Sequence, residues 1–205
     1  MVSRVHVVYA HPSPDSFTRE VLDSFRSALP AYTLTDLYDV GFPAVMSAAE
    51  HTRKPTDPLP ADVAAEQERL EAADVWAFVY PVWWADCPAI LKGWFDRVWT
   101  VGWAYQPMRL RPARRAIVLC TAGYTVEELE VRGHHQAMRA VMLDDRIGAR
   151  AETSEFVVLG GSATAGADWP ALKARHLERA AELGRSVQQE SDAIGRIVRE
   201  RPGRG

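Results

Sequence analysis

Five short, mostly apolar runs recur along the chain: Val5 to Ala10, Thr33 to Leu37, Val75 to Tyr80, Ala116 to Thr121 and Glu155 to Leu159. Runs of this length and character are the pattern of strands buried on both faces. Between them, apolar residues return at helical spacing over Phe17 to Ala28, Ala61 to Ala73, Ala89 to Val98, part of Val126 to Met142, and Pro170 to Ile197. Strands that alternate with helix-length crossovers predict an α/β fold, a doubly wound five-stranded parallel sheet with strand order 2-1-3-4-5. Residues 41–60 carry four prolines and no clean period, which predicts a long loop between strand 2 and the next helix. The pattern reads as a single domain over residues 1–198, followed by a polar tail at 199–205 that is expected to fray.

Composition narrows this picture. Hydrophobic residues make up 47% and charged residues 25% of the chain, and no run approaches the roughly 18 apolar residues that span a bilayer. The expectation is a soluble protein without direct membrane insertion. The first residues enter a strand pattern with no apolar signal core, and Cys87 and Cys120 have neither disulfide nor metal spacing, so a reducing cytoplasm is the expected location. A net charge of -3 gives no strong sign, and Arg109 to Arg115 reads as a solvated loop; no nucleic-acid partner is expected. No metal is expected either: His134 and His135 are adjacent and point about 100° apart on a helix. Asp86, Asp96, Asp144 and Asp145 read as surface, capping or loop charges. There is no G-x-G-x-x-G fingerprint and no P-loop.

In a sheet of this order, ligands bind beyond the carboxyl ends of the strands where the winding reverses, at strands 1 and 3. After strand 1 comes AHPSPDSF, where Asp15 or Ser16 can cap the next helix and leave the amides of Phe17 and Thr18, beside His11, suited to an anion. After strand 3 comes YPVWWADCP, which puts Trp83 and Trp84 beyond the strand end, where an indole can pack on something flat. After strand 4 come Thr121, Ala122 and Gly123, small enough for backbone to approach a planar ligand. Each has a plainer reading alone: a capped helix with a satisfied histidine, indoles filling the space between loop and helix, a strand ending at glycine. Together, at ends the topology gathers on one edge, they point to one flat, phosphate-bearing ligand.

These segments, with CPAILKGWFDRV (Cys87 to Val98), GWAY (Gly102 to Tyr105) and RGHHQAM (Arg132 to Met138), resemble the flavin-dependent NAD(P)H:quinone oxidoreductases of the DT-diaphorase type, proteins of flavodoxin-like fold. The resemblance covers roughly the first 140 residues motif by motif. It implies that His11, Ser16, Phe17 and Thr18 hold flavin phosphates and ribityl, that Pro81, Val82, Trp83 and Trp84 contact the isoalloxazine, and that Thr121, Ala122 and Gly123 bind its pyrimidine side. It further implies that Trp103 and Tyr105 line the substrate pocket and that His135 handles a proton. The cofactor implied is FAD, with FMN as the alternative, and NADPH or NADH is the transient hydride donor. The acceptor is a small quinone-like molecule, the exchange is ping-pong, and the assembly is a homodimer in which Trp94, Phe95 and Trp99 face the partner or form a core stripe. One departure stands out: the family's tyrosine six residues before the histidine is Leu129 here, so Tyr124 is the candidate to replace it. Two other readings remain open from sequence, an ancillary regulatory flavoprotein subunit of a potassium efflux system and a flavodoxin-type electron shuttle.

Overall fold

Three central strands are buried from end to end: β1 (Val5–Tyr9), β3 (Val75–Pro81) and the inner part of β4 (Ala113–Thr121). The computed structural model describes residues 3–200. Of the expected frayed tail, Arg199 and Glu200 close the last helix and residues 201–205 lie outside the described residues. All strands are parallel, in the order β2-β1-β3-β4-β5, with β2 at Tyr32–Asp36 and β5 at Ala151–Leu159. The two edge strands depart from burial on both faces, because each has a neighbour on one side only; Tyr32 and Glu152 to Ser154 are exposed. Register aligns the carboxyl ends: Tyr9 lies opposite Val79, Pro81 opposite Thr121, and Thr121 opposite Leu159.

Apolar clusters cover both faces of the sheet. On one face α1 (Phe17–Ser27) packs against α7 (Trp169–Glu200), with Gly184 allowing close approach: a Cβ there would stand 2.5 Å from the Phe25 carbonyl oxygen. On the other lie α3 (Ala61–Ala72) and α4 (Ala89–Val98). Leu91, Trp94, Phe95 and Val98 recur on α4 at the spacing of one helical face, and all four are buried. The reading of Trp94, Phe95 and Trp99 as partner-facing is therefore corrected. They pack on one another and on Phe78 within this chain, at 0%, 3% and 8% exposure. Burying a side chain of this size contributes about 2–3 kcal/mol, which a chain burying it internally cannot also offer to a partner.

Two further expectations change. The 41–60 segment holds a short helix, α2 (Ala48–Thr52), closed by a capping box in which Ser47 Oγ accepts from the Glu50 N–H at 3.2 Å and Glu50 accepts from the Ser47 N–H at 2.9 Å. Arg109 to Arg115 is not all solvated loop, since β4 starts at Ala113 and half-buried Arg115 pairs with Glu155 and Glu190. The stretch after β4 is broken into α5 (Val126–Val131), α6 (His134–Arg139) and a π-helical segment (Ala140–Ile147), with Gly133 at φ 72° between the first two.

Candidate functional site

The loops after strands 1, 3 and 4 meet. Val82 N–H donates to the Thr121 carbonyl at 2.7 Å, and the hydroxyls of Thr18 and Thr121 share a buried hydrogen bond of 2.7 Å. The rings of His11 and Trp83 lie 6.2 Å apart. Between the second and third of these loops opens a cavity of about 500 Å³, walled by Val82, Trp84, Ala85, Ala122, Gly123 and Tyr124 and closed by Leu129, Arg132 and His134. That volume is in the range of small-molecule and cofactor sites. A second cavity, about 450 Å³ beside Arg4, Tyr32 and Arg69, opens at the opposite edge of the sheet and contains none of the strand-end loops.

Each wall has a local cause. After β1, Ser16 is the N-cap of α1, its Oγ accepting from the Arg19 N–H at 3.1 Å, so the Phe17 and Thr18 amides of the first turn have no helical acceptor. Ser16, and not Asp15, is the cap. His11 Nδ1 accepts from the Ser13 N–H at 3.0 Å, and burial pushes its imidazole below the usual histidine range. The Phe17 ring turns away, edge-on to Trp169 at 4.8 Å, so only its backbone serves this edge.

After β3, Trp83 and Asp86 exchange two backbone hydrogen bonds, of 2.9 and 3.1 Å. Trp84 and Ala85 sit at the tip with φ of 53° and 56°, the signature of a type I′ turn normally occupied by Asn-Gly. Two non-glycine residues in that region cost about 1–3 kcal/mol each. The turn leaves the Trp84 side chain fully exposed. It is tied down by Asp86, whose carboxylate receives both arms of the Arg146 guanidinium at 2.7 and 2.9 Å and the Cys87 N–H at 2.7 Å. Burial alone would raise the Asp86 pKa, but these donors hold it below the usual carboxylate value. Burial pushes the neighbouring Cys87 thiol up to about 12, so it is not a nucleophile at neutral pH.

After β4, the carbonyls of Ala122, Gly123 and Tyr124 accept from Ser162, Ala163 and Gly161 in the loop that follows β5, at 3.2, 3.0 and 2.9 Å. Because the peptide is planar and trans, this turns the Gly123 and Tyr124 N–H groups away from that loop. Gly160 makes the approach possible: a Cβ there would lie 2.5 Å from the Tyr124 carbonyl oxygen. Amide donors beside an indole wall, with free helix-start amides on the adjoining loop, fit a flat, polar-edged ring carrying phosphate.

Other expected residues lie elsewhere. The His135 ring sits 5.7 Å from Phe156 on β5, and it is His134 that lines the cavity. Tyr124 lines it too, half-exposed, with the Arg132 guanidinium over its ring at 4.6 Å. Trp103 and Tyr105 are not brought to this cavity within one chain. They follow the far end of α4, about 15 Å along the helix from its start behind β3, where the Trp103 indole donates to Glu71 at 2.6 Å. Arg132, His134, Arg146 and the β5 loop were missed from sequence; only the last carried a signal, the small residues of Gly160 to Gly166. Among the described residues, no three His, Cys, Asp or Glu side chains gather as a metal set, and no helix is long and apolar enough to cross a membrane.

The family model for the flavodoxin-like fold matches residues 3–181. An NAD(P)H:quinone oxidoreductase from Methanothermobacter marburgensis superposes with a TM-score of 0.85 at 42% identity, over 92% of this chain and 97% of that one. NAD(P)H dehydrogenase (quinone) 1 of Rattus norvegicus is 29% identical over 167 residues, 69% of this chain; the match spans only 61% of that relative's length. General stress protein 14 of Treponema denticola, solved in complex with FMN, shares the fold alone, with a TM-score of 0.67 at 20% identity over 90% of this chain and 99% of that one. By its strand order, its match over residues 3–181 and its 42% identity to an oxidoreductase of nearly the same extent, the chain belongs to the flavodoxin-like family, in the branch that contains the NAD(P)H:quinone oxidoreductases.

Proposed function

We propose that the protein is a flavin-dependent NAD(P)H:quinone-type oxidoreductase that works by ping-pong exchange, nicotinamide and acceptor occupying one slot in turn. The observation that carries this reading is the joining of the three strand-end loops, through Val82–Thr121, Thr18–Thr121 and His11–Trp83, beside a cavity that opens between the second and third of them and is lined by Trp84 and the Ala122–Tyr124 backbone.

A bound flavin supplies the hydride chemistry. The chain's part is positioning and electrostatics. The Phe17 and Thr18 amides with Ser16 and His11 hold the phosphate end, as helix starts favour anions. Pro81, Val82, Trp83 and Trp84 form the face on which a ring stacks; Thr121, Ala122 and Gly123 bring backbone to its polar edge, where the Gly123 and Tyr124 N–H groups, turned away from the β5 loop, are the donors suited to negative charge. Tyr124 and His134, which line the cavity, are the proton-handling groups, in place of His135, whose ring leans on Phe156. We take FAD as the cofactor, with FMN as the alternative, and NADPH or NADH as donor.

The active form is proposed to be a homodimer, because one chain separates Trp103 and Tyr105 from the Trp84 cavity. A reducing cytoplasm suits its two buried free thiols. The deciding experiment releases the chromophore from purified protein, identifies it by mass, and follows which nicotinamide bleaches it. Parallel double-reciprocal lines with a quinone are expected, and protein that neither carries nor binds a flavin overturns the reading.

A further inference from the structure

We propose that Arg146 is a positioning residue: by gripping the Asp86 carboxylate with both arms of its guanidinium, it holds the Trp83–Trp84 turn in the conformation that places Trp84 at the mouth of the cavity. Three independent features of the chain meet in this pair.

The turn is one its own sequence does not favour. The reciprocal Trp83–Asp86 backbone hydrogen bonds force two tip residues into the left-handed region, and those residues are Trp84 and Ala85 where Asn-Gly would relax it. A turn made against local preference persists only where its surroundings over-determine it. Trp84 itself contributes no packing to hold it, being fully exposed.

Arg146 is built as the anchor. It is 6% exposed, its guanidinium lies 5.5 Å over the Phe95 ring, and Nη1 also reaches the Cys87 sulfur at 3.3 Å. Its main-chain carbonyl accepts from the Trp99 indole at 2.8 Å, so its side chain is fixed to Phe95 of α4 and its backbone to the residue that caps that helix, both in the core. A fork of this geometry sets orientation as well as distance, which a point charge does not.

The anchor also belongs to the opposite wall. Arg146 sits in the π-helical segment that continues directly from α6, and α6 begins with His134 at the cavity. One continuous helical stretch therefore carries a cavity-lining residue at one end and the grip on the facing turn at the other. Departures from α-helical winding of this kind are frequent at functional sites.

What the turn presents rests on the proposed flavin site, whereas the clamp rests on the Arg146–Asp86 geometry alone. The test compares wild type, Arg146→Met and Arg146→Lys, with Asp86→Asn approaching the pair from its half-exposed side should the arginine variants not fold. Deuterium uptake by the peptide covering residues 80–90 is read in flavin-free protein, beside the flavin dissociation constant. Loss of the fork is expected to speed exchange of the Trp83 and Asp86 amides by about tenfold or more, with lysine restoring only part of the protection.

A general structural role is separated by placing Arg146→Met in an Ala85→Gly background. Relieving the tip should shrink the effect of the arginine substitution, whereas simple loss of core packing gives the same factor in both backgrounds. The flavin dissociation constant is expected to rise about tenfold in Arg146→Met. Unchanged exchange at 80–90, an effect equal in both backgrounds, or an unaltered flavin affinity each overturns the proposal. Wild-type protein that binds no flavin instead overturns the site, and exchange then still decides the clamp.

Discussion

Gly93 of α4 lets the backbone of Ala44 lie directly on the helix: a Cβ at position 93 would stand 2.0 Å from the Ala44 carbonyl oxygen. The contact explains a glycine at the centre of a helix whose buried face carries the large apolar residues Leu91, Trp94, Phe95 and Val98, since glycine within a helix costs about 1 kcal/mol. It also fixes the 41–60 segment onto the element that follows the cavity's tryptophan turn. Gly93→Ala is therefore expected to lower stability by about 1–3 kcal/mol, against the usual gain from alanine in a helix. A urea unfolding series reads this directly, and a variant as stable as the wild type would mean that the segment is not seated there.

Arg97 holds the same segment from the side. Its guanidinium donates to Glu50 at 2.7 Å, to the Pro43 carbonyl at 2.9 Å and to Asp62, so one buried cation ties residue 43, helix α2 and helix α3 to α4. The hydrogen bond from Arg97 holds the Asp62 carboxyl below its ordinary pKa. For Glu50, burial acts upward but the Ser47 and Arg97 donors outweigh it, and its pKa is lowered too. A carboxylate with a depressed folded-state pKa stabilises above its unfolded value, near 4, and that stability is lost as pH falls through the folded value. Arg97→Met should cost about 2–4 kcal/mol at pH 7 and much less at a pH below the lowered folded-state values of both carboxylates, where they are protonated. Equal losses at the two pH values would show that the arginine acts by packing alone.

Under the sheet, Glu66 is a carboxylate 2% exposed that accepts from the Thr35 hydroxyl at 2.9 Å, from the Trp94 indole at 2.9 Å and from Arg69, with His6 Nε2 at 3.5 Å. Burial acts to raise its pKa, yet the hydrogen bonds around it leave it below the ordinary glutamate value. Glu66→Gln keeps the shape but brings an NH2 group against neighbours that are themselves donors, at an expected cost of about 2–3 kcal/mol. Glu66→Leu, which removes the mismatch along with the charge but strands the Trp94 N–H, should cost no less. Denaturant midpoints for the two variants decide between a charge effect and an unsatisfied-donor effect.

The central strands and the meeting of their ends were legible because both are local or topological facts: apolar runs mark buried strands, and the order 2-1-3-4-5 brings the loops after strands 1, 3 and 4 to one edge. What escaped was tertiary or conformational. Arg146 is 60 residues from Asp86, and nothing in either segment announces the pair. The break at Gly133 starts a new helix, so one uninterrupted period over 126–142 misplaces the faces of His134 and His135. Trp94 and Trp99 share the composition of an interface and of a core, and only packing separates the two. Helix α2 was readable, since Ser47 and Glu50 have capping-box spacing, but four prolines around it obscured the signal.

The histidines give the sharpest test of the chemistry. A group that passes a proton must stand within hydrogen-bond reach of the reacting atom, directly or through one water. His134 lines the cavity beside Arg132 and Tyr124, whereas the ring of His135 leans on Phe156. His134→Gln is therefore expected to lower kcat/KM for a quinone by about 100-fold, the lower end of what general acid-base catalysis supplies, while flavin affinity stays within a few-fold of wild type. His135→Gln should instead lose a ring contact, about 1 kcal/mol of stability, and leave turnover nearly intact. Tyr124→Phe, with kcat/KM followed as a function of pH, tells whether its hydroxyl shares the work: an unchanged profile makes it a wall and no more. The reverse result, with turnover lost at His135 and kept at His134, would return the proton to the residue that the resemblance singled out, and would require that α6 turn about its axis when the cavity fills.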